Sequence, residues 1–400
     1  MILAGSGITV SQDPVEAAIE AALTAQDRCG VDSADFCFVF MTPPAHAAAA
    51  KMLHAILRIT GAQAIVGCGG AGVLTERMEV EAAAAPEGAV AVAVLAVKTD
   101  EHRVSGFLTD ETDGLGVPAG TVTAGKAFHT AGNGGITFVL PDPVELEPMG
   151  FLQGFREAGG TIPVLGAVAA GTPAFEFCNT QVVSKKAVGL ALSAPRPVIG
   201  VAQGCEPIGE PFIITRGEDQ VVREIAGRPA IEVLREALAG LEDAETRVRT
   251  AGIFAGLAMN PAKSPLTRGD FLVRNLLRVD QRTGAVAVAE PVRPGQTIQF
   301  QIRDARAAAD DLAATLRQMA TELEGRRPAF GVYFNCAGRG QGLYGVPDHD
   351  IGLIREHLGE FPLAGFFGNG EFAPVGPRNF FHTYTGVLAV FPETGKAQTP

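Results

Sequence analysis

The residues best equipped for chemistry gather toward the C-terminal end of the chain, in Phe334-Asn335-Cys336-Ala337-Gly338-Arg339, where an amide, a thiol and a guanidinium leave an apolar run within a few positions. Asn369 and Glu371 follow on a glycine turn after the next apolar run. A guanidinium grips a carboxylate through paired N–H donors and a carboxylate accepts from an ammonium, so Arg339 and Glu371 together would hold an amino acid at both ends. The same side chains would equally serve to tie strand ends, pairing with each other or with Asp304 and Arg303. Cys336 beside a cation invites nucleophilic chemistry, and a thiol-dependent hydrolase or transferase is the alternative it supports. Only His349 and His382 lie near it in sequence, and the alternation in Asn379-Phe380-Phe381-His382-Thr383 reads as a strand entering the core. A small packed thiol is the expectation. Cys68 and Cys205 sit in glycine loops without a partner at metal-ligand spacing. The run Gly67 to Gly72 lacks the Lys-Ser/Thr ending of a phosphate loop. No catalytic residue, metal or cofactor is therefore expected.

Composition narrows the partners. Four hundred residues exceed what one hydrophobic core usually organises, which predicts two domains or one duplicated domain. With 47% apolar and 19% charged residues, the chain has the apolar area to offset its conformational entropy throughout. A net charge of −12 without a basic run repels phosphate backbones, and with no Trp and three Tyr there is no stacking platform for single-stranded nucleic acid. Met1 is followed by no basic segment, and the longest apolar stretch, Ala89 to Val97, is too short to span a bilayer. Six cysteines without a CxxC pair read as reduced thiols. These features predict a cytoplasmic protein that engages neither membrane nor nucleic acid.

The elements that must position the candidate residues recur. One unit runs from the apolar strand 36–41 through a helical stretch at 45–58 and the run 64–67 to a glycine turn at 68–72 and the strand 89–97. It returns as 136–140, 149–158, 163–166, a turn at 170–171 and 187–192, and again as 330–334, 350–358, 362–365, 368–371 and 386–391. Strand, helix, strand, glycine turn and strand keep their order and nearly their spacing, and such repetition marks a copied supersecondary unit. Glycine suits the turn because it permits positive φ or close backbone approach. Between the second and third copies, Pro195-Arg196-Pro197 marks a boundary no helix crosses. Beyond it the pattern predicts strands at 198–201 and 211–215, a helix starting at Pro229, a strand at 251–259, a hairpin of 271–279 with 285–289, a strand at 298–302 and a long helix at 305–323.

Taken in order, Gly204-Cys205-Glu206-Pro207-Ile208-Gly209, Gly227-Arg228-Pro229-Ala230, Arg274-Asn275-Leu276-Leu277 with Asp280, Ile302-Arg303-Asp304, Asn335 to Gly340 and Gly370-Glu371-Phe372-Ala373-Pro374 resemble the C-terminal FIST domain, and Val66-Gly67-Cys68-Gly69-Gly70-Ala71-Gly72 resembles its N-terminal partner. The resemblance implies an intracellular sensory module that binds a small ligand such as an amino acid, with no catalytic activity. It implies a signal passed to a downstream signalling protein or through formation of a homo-oligomer; a scaffold without ligand is the other alternative. The first turn, Cys68-Gly69-Gly70, departs from a more Ser-rich version. The expected fold is α+β, with duplicated strand-helix-strand units in two pseudo-equivalent halves, mixed sheets packed centrally and helices outside. Residues 1–33 form a lead-in, 34–195 and 196–392 the two domains, and 393–400 a tail, leaving a stand-alone module. A ligand cleft is expected where the halves meet, drawing on Asn335, Cys336, Gly338, Arg339, Asn369, Glu371, Arg303, Gly67, Cys68 and Cys205.

Overall fold

The computed structural model describes residues 1–100, 103–108, 135–144, 147–159, 162–193, 196–241, 252–260 and 262–393. Pro195 of the expected boundary and all but the first residue of the expected tail lie outside them. The chain divides into two compact bodies: one of Met1–Val201, Ala313–Phe381 and Thr385–Pro400, the other of Ala202–Leu312 and His382–Tyr384. The fold is α+β.

The first copy of the unit comprises β1 (Ile2–Ser11), α1 (Pro14–Cys29), β2 (Phe36–Met41), α2 (Ala49–Thr60), β3 (Ala64–Gly69), the hairpin β4 (Gly72–Thr75) and β5 (Glu79–Glu81), and β6 (Val90–Thr99). The second comprises β7 (Val104–Leu108), β8 (Ile136–Pro141), α3 (Pro148–Gly159), β9 (Val164–Ala167), β10 (Glu176–Cys178), β11 (Gln181–Val183) and β12 (Ala187–Leu192). After β13 (Val198–Gln203) come β14 (Cys205–Pro207), β15 (Phe212–Glu218), β16 (Val221–Ile225), β17 (Arg228–Pro229), α4 (Ala230–Ala239), β18 (Ile253–Ala258), β19 (Phe271–Val279), β20 (Val286–Val288) and β21 (Thr297–Arg303). The helix α5 (Ala305–Glu322) leads to the third copy: β22 (Pro328–Cys336), α6 (Gln341–Tyr344), α7 (His349–Leu358), β23 (Leu363–Gly368), β24 (Glu371–Val375), β25 (Arg378–His382) and β26 (Thr385–Pro392).

Three six-stranded sheets repeat one plan, β1-β6-β2-β3-β10-β11, β7-β12-β8-β9-β24-β25 and β13-β26-β22-β23-β4-β5. In the first two a copy supplies four strands, in the third β13 joins β26, β22 and β23 of the third copy, and in each the outer hairpin belongs to another copy. The first copy lends its hairpin to the third, the third to the second and the second to the first, a cyclic exchange that makes the arrangement threefold where two halves were expected. β2 pairs in parallel with β3, β8 with β9 and β22 with β23.

The register marks one glycine per copy. Gly67, Gly166 and Gly365 lie opposite Val39, Val139 and Tyr333. A Cβ added at each would stand 1.7, 1.8 and 1.9 Å from the carbonyl oxygen of that partner. Phenylalanines from the sheets, Phe36, Phe38, Phe40, Phe138, Phe330, Phe334, Phe366 and Phe391, meet in one core. Opposite faces are covered by helices, α1 and α2 on the first sheet and α3 on the second.

The expected lead-in is instead a ten-residue strand and a sixteen-residue helix. Asp13 caps α1 by accepting from the Val15 and Glu16 N–H groups, Pro14 opens its first turn, and Gly30 closes it in the left-handed region. Its buried face is almost wholly alanine, which lets β1 approach so closely that a Cβ at Gly5 or Gly7 would meet a helix carbonyl at 2.2 Å. Alanine gives a weak apolar stripe and glycine a poor strand signal, so neither element stands out in the sequence.

In the second body the antiparallel strands close on themselves, β21-β15-β16-β20-β19-β18 and back to β21. Ile214, Val222, Val286, Ala255 and Phe300 form its core with the Ala230, Val233, Leu234 and Ala237 face of α4. The hairpin at 271–288 is present, while the expected loop at 204–209 contains β14, paired with β21.

Candidate functional site

Equivalent positions in the three copies show where polarity was placed. Two residues beyond the glycine-matched position stand Met41, Pro141 and Asn335, and three beyond stand Thr42, Asp142 and Cys336. On the exchanged strands the matching residues are Val73, Glu176 and Glu371. Only the third copy is polar at every one of these positions.

Its centre is Asp350, in the first turn of α7 and fully buried. The carboxylate accepts from Tyr333 Oη at 2.9 Å, Asn335 Nδ2 at 3.1 Å, and Arg339 Nε and Nη2 at 3.0 and 3.3 Å, and His349 Nδ1 lies 3.0 Å away. Burial alone would raise its pKa, but the Arg339 charge and these hydrogen bonds outweigh burial and hold it well below the usual range. Tyr344 lies beneath the guanidinium at 5.7 Å and stacks on His349. Arg339 thus pairs with Asp350, not with Glu371, Asp304 or Arg303. Glu371 is fully buried; burial pushes its carboxyl well above the ordinary value against the opposing hydrogen bond from Thr385 N, the Arg339 charge and the bond from the Cys336 thiol. Asn335 Oδ1, Arg339 Nη1 and Glu371 Oε1 have no hydrogen-bond partner among the described residues.

The structure therefore brings together Asn335, Cys336, Arg339 and Glu371, with Gly338 half-buried between two of them. Asn369 is exposed, its N–H donating to Val168 O. Gly67 and Cys68 lie in β3 against Phe177 and Glu176. Cys205 and Arg303 pair in register in the second body, where Cys205 packs with Phe254 and Val273. None of the six cysteines is in a disulfide.

A cleft of about 240 Å³ opens beside the Asp350 cluster, bounded by Glu79 and Glu81 of β5, Asp348 before α7, and the apolar Met78, Val80 and Pro347. Glu79 and Glu81 come from the first half of the chain, Pro347 and Asp348 from the second. Glu79 is nine-tenths buried; its Oε1 accepts from Ile351 N at 3.1 Å and its Oε2 has no partner among the described residues. Its own N–H donates to Asp348 Oδ1 at 2.5 Å, and Glu81 Oε1 accepts from Gln341 N at 2.6 Å. Burial, then the charges of Asp350, Asp348 and Glu81, push Glu79 up to about 8. Sequence reasoning missed Glu79 and Asp350 because an acid at a helix start reads as a cap and an acid on a short strand reads as solvated surface.

The chain matches the FIST N domain model over residues 35–228 and the FIST C domain model over 230–374. The chain belongs to the FIST family. It is similar to the uncharacterized protein Mb0898c of Mycobacterium bovis, 34% identical over 393 residues that cover 97% of this chain and 98% of that protein. It is also similar to the uncharacterized protein MT0656 of Mycobacterium tuberculosis, 33% identical over 391 residues covering 97% and 99%. FIST domains are sensory modules, and here Glu79 falls in the FIST N match while Asp348 and Asp350 fall in FIST C. No helix among the described residues of this FIST chain is long and apolar enough to cross a membrane.

The buried acids make stability pH-dependent. Glu176, fully buried and pushed up to about 9 by burial and then by the Asp142 charge, keeps its proton in the folded FIST chain, as Glu79 does up to about 8. The unfolded chain releases both near the ordinary value of about 4.3. Between these values the folded state binds more protons, so stability falls as pH rises through the window and levels off above the folded pKa, by at most about 1.4 kcal/mol per unit per group. Urea unfolding from about pH 5 to about pH 9 should show this decline, and Glu176→Gln should make it shallower, leaving the part due to Glu79; an unchanged slope would place the titration elsewhere.

Proposed function

We propose that this FIST chain is a cytoplasmic, non-catalytic sensory module that holds a small ligand in the Glu79 cleft and registers its presence through the Asp350–Arg339 pair. The observation that carries this reading is a buried carboxyl with one oxygen unpartnered, lining an accessible cleft and coupled electrostatically to a buried ion pair. Holding such a group away from water is costly, and perturbed acids of this kind concentrate at functional sites. An occupant that changes the charge of Glu79 changes the field at Asp350. Through Arg339 that change reaches Asn335 and Glu371, so these residues serve as the relay behind the ligand. The amino-acid reading is retained only for the ammonium, which the cleft acids would take; Arg339, buried and bound to Asp350 through Nε and Nη2, stands behind the lining. The output is a contact with a signalling protein or a change of assembly.

A thermal-shift panel of amino acids, small amines and small carboxylates tests the reading. A ligand at about one hundred times its Kd stabilises by about 2.7 kcal/mol, a rise of roughly 3 °C for a chain of this length, because it binds only the folded chain. The rise should vanish in Glu79→Gln. No rise with any member of the panel would remove the ligand from the account.

A further inference from the structure

We propose that the occupant of the Glu79 cleft is an organic ammonium ion, a primary amine on a short apolar body. This rests on the reading of that cleft as the ligand site. Among the described residues, every charged side chain on its lining is a carboxylate, Glu79, Glu81 and Asp348, and no Lys, Arg or His lines it. The guanidinium of Arg339 is buried and directed to Asp350 through Nε and Nη2. Glu81 and Asp348 each hold a backbone N–H with one oxygen, which fixes them at the wall, and Glu79 Oε2 is left without a donor. An ammonium supplies three N–H donors and a positive charge to such a set, whereas a carboxylate ligand would meet three acids and no cation. Met78, Val80, Pro86 and Pro347 provide an apolar surface for a methylene body.

Binding couples to protonation. The groups facing Glu79 are Asp350, Asp348, Glu81 and Tyr344, with Arg339 behind Asp350 and the Ile351 N–H on Oε1. In the empty cleft Glu79 is protonated below about pH 8, and an ammonium favours its ionised form, so binding expels a proton below that pH. Affinity should therefore rise about tenfold per pH unit up to about pH 8 and level off above it.

The test uses the full chain and four molecules of similar length, n-butylamine, butane-1,4-diamine, 4-aminobutanoate and butanoate, titrated calorimetrically. The two amines should bind, butanoate should not, and 4-aminobutanoate should bind at least tenfold more weakly than n-butylamine. Glu79→Gln should weaken the amines at least tenfold and abolish the pH dependence below about pH 8. Should that variant fail to fold, Glu81→Gln should weaken them severalfold. Tighter binding of butanoate or 4-aminobutanoate, lost in the same variants, overturns the ammonium assignment and leaves the cleft as the ligand site. Amine affinity that is independent of both acids and of pH overturns the assignment as well. Absence of binding here and throughout the wider panel overturns both.

Discussion

Asp350→Ala is expected to destabilise the chain by about 3–5 kcal/mol, because it strands the buried Arg339 charge without a counter-ion. Tyr333 Oη and Asn335 Nδ2 lose their acceptor in the same step, and buried donors without partners add to the cost. Arg339→Met should be severe for the converse reason, leaving a buried carboxylate. The double variant distinguishes a paired charge from two independent contributions: with both charges gone, the penalty should be well below the sum of the two single penalties. Recovery stays incomplete since the tyrosine and asparagine donors remain. Urea unfolding of the four proteins measures the coupling, and additive losses would contradict the pairing.

The second large effect concerns the three matched glycines. Gly67→Ala, Gly166→Ala and Gly365→Ala each place a methyl within 1.9 Å of a backbone oxygen on the neighbouring strand. That oxygen cannot move without parting the parallel pair that centres each sheet. Each substitution should cost more than about 3 kcal/mol, as overpacking against backbone is not relieved by a rotamer change. Gly352→Ala, where nothing lies within 4 Å of the added carbon, is the control and should be close to neutral. Comparable losses at the three sites would express the threefold plan energetically; a tolerated substitution at one of them would show that copy to be built differently.

Much of this architecture is legible in the sequence. The runs 36–41, 136–140 and 330–334 are almost wholly apolar because these strands are covered on both faces, and the glycine within each second strand is imposed by a close backbone approach that tolerates no other residue. The exchange of hairpins is not legible. Strands such as Gly72–Thr75 and Glu176–Cys178 are three or four residues long, and which edge they complete depends on what lies beside them in space. The Ala-rich α1 and glycine-containing β1 escape notice for a related reason, since their packing rests on small side chains with little hydrophobic signal.

The site was half legible. Asn335, Cys336, Arg339 and Glu371 declare themselves as polar residues in an otherwise apolar repeat, and they do meet. Their organiser, Asp350, comes from a helix start eleven residues beyond Arg339, and the cleft acid Glu79 lies more than two hundred and fifty residues before it. No spacing rule joins them. Their proximity follows from the first copy lending β4 and β5 to the third sheet, so the step hidden from the sequence is also the one that builds the cleft.

Hydrogen exchange of the full chain, with and without the most stabilising molecule from the thermal-shift panel, tests the central claim most directly. The account predicts added protection confined to the cleft segments around 78–86 and 341–351, extending along β22 through Arg339 to Asn335, and absent in Glu79→Gln. Protection confined to the second body, or unchanged by Glu79→Gln, would contradict it.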